Sequence, residues 1–259
     1  MNLHKKMKAI SSSMGDEKCQ LVLKNANMIN VLSEEIQVCD IAIQDGIIVG
    51  IGSYIGEIEI DMSGKYISPG LIDSHVHIES TMVCPEIFAS EVLPHGTTTV
   101  IADPHEITNV MGLSGVEYIL EHSDNIPLNV YVMLPSCVPC SEFETNGSDF
   151  TWEDMTKIIN HPRILGLGEV MDCPSVLSCD NIMMQKIDLI KNGNIDGHAP
   201  NLSSLQLQAY RLAGIKTDHE SCSFESALEK IRSGFFVLIR DGSAAKSIDK
   251  IVSGILKTG

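Results

Sequence analysis

From Pro69 onward the chain repeats one pattern: a short apolar β-prone run, a polar turn, then a stretch of helical period. The strands this pattern predicts are Ile72–Val76, Thr97–Asp103, Leu128–Leu134, Ile164–Glu169, Ile195–His198, Lys216–His219 and Phe235–Arg240. Helices are predicted near Pro85–Leu93, Ser114–Glu121, Thr151–Asn160, Asn181–Lys191 and Ser203–Ala213, from the cap Ser223 to Arg232, and over about Ala244–Leu256. Strands alternating with helices over short links imply a parallel sheet. Seven such units with polar groups at the strand C-termini predict an α/β fold, an incomplete (β/α)8 TIM-type barrel. Residues 69–259 fall short of the roughly 250 residues typical of that barrel. The expectation is a barrel truncated before strand 8.

Ahead of the barrel, residues 19–68 alternate β-prone runs with turns. Leu21–Leu23, Cys39–Gln44, Ile47–Gly52 and Ile58–Met62 are the runs; Asn25, Asp45-Gly46 and Ser63-Gly64 are the punctuation. This reads as a small β-domain, part of a composite β-sandwich whose return is not in the sequence. Residues 1–18 are polar and rich in Ser and Lys, and are expected to form a disordered lead.

The net charge of −16 argues against a nucleic-acid partner, which needs a basic face. No apolar run reaches the length of a membrane span, and the polar start lacks a signal-peptide apolar region, so a cytoplasmic protein with no membrane partner is expected. In that compartment the eight cysteines are reduced thiols. The single CxxC, Cys137-Val-Pro-Cys140, supplies only half of a tetrahedral zinc site and is read as ordinary loop or core thiols.

His75 and His77 lie two apart at the end of the first barrel strand, so both rings point to the same side. Alone, a His-x-His is a weak signal. Glu169, His198 and His219 then end the fourth, fifth and sixth strands, and the C-terminal strand ends of such a barrel converge on one mouth. Imidazoles with one carboxylate suit Zn, Mn or Fe(II), and a single carboxylate can bridge two ions. Each of these residues taken singly is more simply a hydrogen-bonded loop residue; together, in strand order, they predict a metal site.

The run Gly70-Leu-Ile-Asp-Ser-His-Val-His-Ile-Glu-Ser-Thr-Met82 resembles the first-strand motif of the amidohydrolase superfamily, and more narrowly that of the adenine deaminase family. Also similar are His95–Val110 with its Asp-Pro-His-Glu, Leu134–Pro139, Gly166-Leu-Gly-Glu-Val-Met171, Asp196-Gly-His-Ala-Pro200 and Thr217-Asp-His-Glu220. The resemblance covers about residue 20 to the end. It implies a metal-dependent hydrolase converting adenine and water to hypoxanthine and ammonia, with a metal-bound hydroxide attacking purine C6. It further implies two divalent ions, Mn or Fe(II), held by His75, His77, Glu169, His198 and His219, with Glu169 where dihydroorotases and ureases usually have a carboxylated lysine. Glu220, beside His219, is expected to be catalytic, as a proton carrier or as a hydrogen-bond partner of the substrate. At the end of the second strand, His105 is expected to be catalytic, and Asp103 and Glu106 to bind substrate, against the alternative that this trio only orients the first-strand histidines. A homo-oligomer is expected of the complete protein. In this superfamily strand 8 carries a metal-binding Asp that the sequence lacks, so weak or absent activity of the chain alone is expected. Two other readings stay open: an amidohydrolase acting on a cyclic amide or imide, and a non-catalytic metal-binding remnant that associates with a partner.

Overall fold

The structure, a computed structural model, describes residues 1–141, 143–191, 193–243 and 245–258, except for the side chain of Thr258. The chain divides into two units, Met1–Gly70 and Leu71–Gly259.

The first unit holds a helix, α1 (Leu3–Met14), and the strands β1 (Cys19–Asn30), β2 (Glu35–Gln44), β3 (Ile47–Gly52), β4 (Gly56–Asp61) and β5 (Tyr66–Ile67) in one sheet. Asp45-Gly46, both at positive φ, make the tight hairpin between β2 and β3. Asn25 does not end a strand. It sits at φ 57° in the register shift of β1 between Leu23 and Ala26, a bulge whose backbone N–H is taken by Asp40 Oδ1 at 3.1 Å. Residues 3–14, expected to lack order, are helical instead. Asn2 caps the helix start through Lys5 N, and Gly15 closes its end at φ 79°. Side-chain bonds hold that end to the first unit's sheet: Tyr54 Oη donates to the Ser13 carbonyl, Cys19 Sγ to that of Ser12, and Ser12 Oγ to Gln44 Oε1. Leu3, Met7, Ile10 and Met14 keep helical spacing along it, and all four are exposed.

In the second unit the strands are β6 (Leu71–Val76), β7 (Thr97–Ala102), β8 (Asn129–Leu134), β9 (Ile164–Leu167), β10 (Asn194–Ile195), β11 (Thr217–Asp218) and β12 (Phe236–Val237). β6 to β10 pair in sequence order, all parallel, and β11 pairs with β12 in the same sense. Lys216 N donates to the Ile195 carbonyl, which carries the order on from β10 to β11. Helices α2 (Pro85–Val92), α3 (His105–Met111), α4 (Leu113–His122), α5 (Trp152–Ile158), α6 (Cys173–Leu177), α7 (Asn181–Asp188), α8 (Ser204–Leu212), α9 (Phe224–Arg232) and α10 (Ile248–Thr258) connect or follow them. This is a curled, parallel half-barrel with seven strands among the described residues. The predicted start of the last helix at Ala244 lies outside the described residues. Two short helices, α3 and α6, were not anticipated.

The strands alternate with period two. Val100, Ala102, Val130 and Val132 pack outward with Phe88, Val116, Ile119 and Met155 of the helices. Ile101, Met133 and Leu165 turn the other way, onto a cavity of about 240 Å³. Each fully buried aliphatic side chain contributes about 1.5–3 kcal/mol, so this outer layer anchors the sheet.

The later strands are shorter than predicted. Past Leu134, Leu167 and Ile195 the ladder breaks up, and backbone N–H groups bond side chains or neighbouring loops instead. Glu169 N donates to Asp103 Oδ2, Ala199 N to Asp218 Oδ1, and Val170 N to the Asp196 carbonyl. Two glycines allow the strands to approach this closely: a Cβ on Gly166 would collide with the Asn194 carbonyl, and one on Gly168 with the Asp103 carboxylate. Gly166→Ala is therefore expected to separate β9 from β10 at a cost of about 1–3 kcal/mol, read as a lower urea midpoint with an unchanged slope.

Candidate metal centre

Four imidazoles from three strand ends converge on the carboxylate carried by a fourth. His75 lies within β6 and His77 one residue past it; Glu169, His198 and His219 follow β9, β10 and β11. Glu169 is 4% exposed. Its Oε1 lies 2.7 Å from His75 Nε2, 3.2 Å from His77 Nε2 and 3.1 Å from His219 Nε2, while Oε2 is 3.6 Å from His198 Nδ1. The His75 and His219 rings stack with centroids 4.3 Å apart.

Nitrogen lone pairs and a carboxylate cannot crowd together without positive charge between them. His77 Nδ1 donates to the Asp103 carbonyl at 2.8 Å, so in the neutral ring Nε2 is the lone-pair nitrogen, and it faces His75 Nε2 at 3.2 Å. Burial alone would lower the pKa of His77, but the hydrogen bond to Glu169 and the charge of Glu106 raise it to about 10. Burial likewise works against ionisation of Glu169, yet hydrogen bonds from His219, His75 and His77 hold its carboxyl below the usual range. The site thus demands cations, as protons or as metal. Burial lowers the pKa of His198, which favours a free ring nitrogen. The buried Nδ1 atoms of His198 and His219 have no hydrogen-bond partner.

This donor set fits divalent metal. Two triads, His75–His77–Glu169 and Glu169–His198–His219, each present ligand atoms within 4.8 Å of one another, and they share Glu169. A carboxylate ringed by four imidazoles offers the donors that one divalent ion or two could use.

Support comes from residues set back from Glu169 and the histidines. Asp103, expected at the substrate, is fully buried and acts on the backbone: its Oδ2 accepts the Glu169 N–H at 2.7 Å while its carbonyl orients His77. Ser136 Oγ donates to the Glu169 carbonyl at 2.5 Å from the other side. His105 and Glu106 belong to the first turn of α3 rather than to a loop. The His105 ring meets that of His77 edge-on at 4.6 Å, and Glu106 Oε2 lies 3.5 Å from His77 Nδ1 and 3.6 Å from His105 Nε2.

A cavity of about 560 Å³ opens over the centre, lined by His75, His77, Glu106, His219 and Arg240 among others. That volume suits a small molecule. Glu220 stands 3.6 Å from His219 Nε2 and 3.8 Å from His198 Nδ1, and Arg240 Nη2 pairs with its Oε1 at 2.8 Å. Arg240 was not singled out in the sequence; its place at the end of the seventh predicted strand was the available signal.

The chain belongs to the amidohydrolase family, which residues 66–253 match. Among curated relatives, it is 53% identical over 248 residues to an adenine deaminase of Desulfitobacterium hafniense (strain Y51), covering 96% of this chain and 44% of that protein. An adenine deaminase of Clostridium acetobutylicum is 50% identical over 248 residues, with 95% of this chain and 44% of that protein covered. The chain thus spans less than half the length of these relatives. Of solved structures, a triazine hydrolase variant superposes with a TM-score of 0.57 at 13% identity, covering 89% of this chain and 73% of that one. The zinc complex of atrazine chlorohydrolase from Arthrobacter aurescens TC1 gives a TM-score of 0.52 at 14% identity, covering 92% and 75%. At such identities these likenesses speak for the fold alone. Among the described residues no helix is long and apolar enough to cross a membrane.

Asp103→Ala would leave the Glu169 N–H buried without an acceptor, at a cost of about 1–3 kcal/mol. Urea unfolding of the variant checks this; a change within about 0.5 kcal/mol, as at an ordinary surface site, would show that the bond is dispensable.

Proposed function

We propose that this chain carries the metal centre and much of the substrate pocket of an adenine deaminase, forming hypoxanthine and ammonia from adenine and water. The observation that carries the reading is the pair of ligand triads sharing Glu169, in a chain about half identical to adenine deaminases. In this reading His75, His77, His198 and His219 would hold two divalent ions together with Glu169 as the shared ligand; Mn and Fe(II) are the metals of choice. Such ions lower the pKa of a water toward neutrality and so supply the nucleophile for purine C6.

The remaining work falls to the chain's own side chains. Attack at C6 requires a proton at N1 and another on the departing amine. Glu220 is the proton carrier: it borders both His198 and His219, and the guanidinium of Arg240 holds its Oε1 in place at 2.8 Å. Glu106, which lines the cavity, takes a substrate N–H, and Ser80 Oγ steadies it from behind at 2.6 Å. His105, against the ring of His77, is the second candidate for proton handling. Asp103 serves this chemistry from behind, through Glu169 and His77.

Two measurements test the reading. Metal analysis of Glu169→Gln is expected to find at most one tightly held ion, against two in the unaltered chain; two tightly held ions in the variant would sink the bridge. With Mn²⁺-loaded chain, any turnover should be of adenine, far below the rate of a complete relative and giving hypoxanthine and ammonia in equal amounts, while a cyclic imide such as hydantoin stays intact. Hydantoin cleavage without adenine deamination would overturn the substrate assignment.

A further inference from the structure

Behind the metal centre lies a second buried charge pair. Asp218, the last residue of β11, is fully buried, and Lys230 of α9 is 2% exposed; Lys230 Nζ meets Asp218 Oδ2 at 2.8 Å. Isolating two charges in a protein interior is costly, and apolar residues of similar volume often serve stability as well or better. Stability alone is therefore a poor reason for this pair.

Its hydrogen bonds show another use. Asp218 Oδ1 accepts the Ala199 N–H at 2.9 Å. Asp218 Oδ2 accepts the Ser221 N–H at 3.1 Å and the Ser221 hydroxyl at 2.8 Å. Lys230 Nζ also donates to Ser221 Oγ at 3.0 Å, which closes the network. Ala199 follows His198 directly; Asp218 precedes His219; Ser221 follows Glu220. One carboxylate thus grips the backbone on the far side of His198 and on both sides of the His219–Glu220 pair. These strand ends lie where the ladder has already given out, so few backbone bonds hold them otherwise.

We propose that Asp218 and Lys230 are positioning residues: together they set the spacing between the strand end bearing His198 and the strand end bearing His219 and Glu220. The proposal rests on the reading of those histidines as metal ligands. Burial opposes the charge of Asp218, but its bond to Lys230 and the charge of that ammonium keep the carboxyl below its ordinary range. Neither residue lines the cavity of about 560 Å³, and the pair acts on the ligands through the backbone segments it holds.

Three variants of the full chain test this. Asp218→Asn cannot accept all of these bonds and leaves Lys230 unpaired. Asp218→Asn combined with Lys230→Gln removes both charges at nearly constant volume, avoiding an uncompensated buried ion. Leu120→Ala, a core truncation in α4, lowers stability away from the site and serves as the control. The readouts are Mn²⁺ affinity by competition with a chelator, melting temperature, and amide hydrogen exchange at Ala199 and Ser221.

Residues that orient metal ligands typically change affinity by about 10–100-fold. A loss of that size is expected for the weaker of the two ions in both Asp218 variants, with faster exchange at Ala199 and Ser221. In the charge-free double variant the melting temperature should recover while the affinity does not; Leu120→Ala should melt early yet bind normally. Affinity that returns with stability, or Mn²⁺ bound by Asp218→Asn as tightly as by the unaltered chain, would overturn the proposal. An unaltered chain that takes up no divalent ion would count against the metal reading. Amide exchange then decides the positioning role: acceleration confined to Ala199 and Ser221 upholds it, and unchanged exchange overturns it.

Discussion

The carboxylate of Glu169 is the point on which the second unit's architecture turns. Three Nε2 nitrogens stand within 3.2 Å of its Oε1, and a fourth ring faces its Oε2. A buried anion ringed by imidazoles is tolerable only when cations lie among them, because a low-dielectric interior magnifies every unbalanced charge. The strands around it bring four separate segments to one place, and much of the surrounding polar structure keeps them there.

Strand ends are weak places in a parallel sheet, since the regular ladder stops where the site begins. In this unit buried side chains continue the work of the ladder. Asp103 accepts the N–H of Glu169, Ser136 Oγ donates to its carbonyl, and Asp218 accepts the N–H groups of Ala199 and Ser221. Glycine is needed at Gly168 because Asp103 occupies the space a Cβ would fill. Motif glycine, buried aspartate and bridging glutamate are thus one packing unit rather than three separate features.

The first unit follows a different logic. Cys19, Val22 and Ala42 form a small buried cluster with Val49 and Tyr54 packed against it. Ile48, Ile51, Ile58 and Ile60 remain exposed. Its order depends on polar ties as much as on that cluster: the Lys24–Asp40 ion pair at 2.6 Å sits beside the Asn25 bulge, and Gln44 is buried under the end of α1.

Much of this could be read from the residues alone. The strand–helix rhythm located all seven strands of the half-barrel, because outward-facing Val and Ala against helical apolar stripes leave a periodic trace. His75 and His77 announced a shared side by their spacing, and Glu169, His198 and His219 by their places at strand ends. What the sequence could not convey is distance between segments far apart along the chain. That Asp103 turns from the cavity to the Glu169 backbone depends on the closeness of β7 and β9, a contact spanning 66 residues. That Arg240 meets Glu220, or Lys230 meets Asp218, depends on how β12 and α9 pack on β11. Local periodicity records which side a residue faces; only the folded chain decides which partner waits there, because hydrogen bonds and ion pairs act over a few ångströms and carry no signature in the spacing of their members.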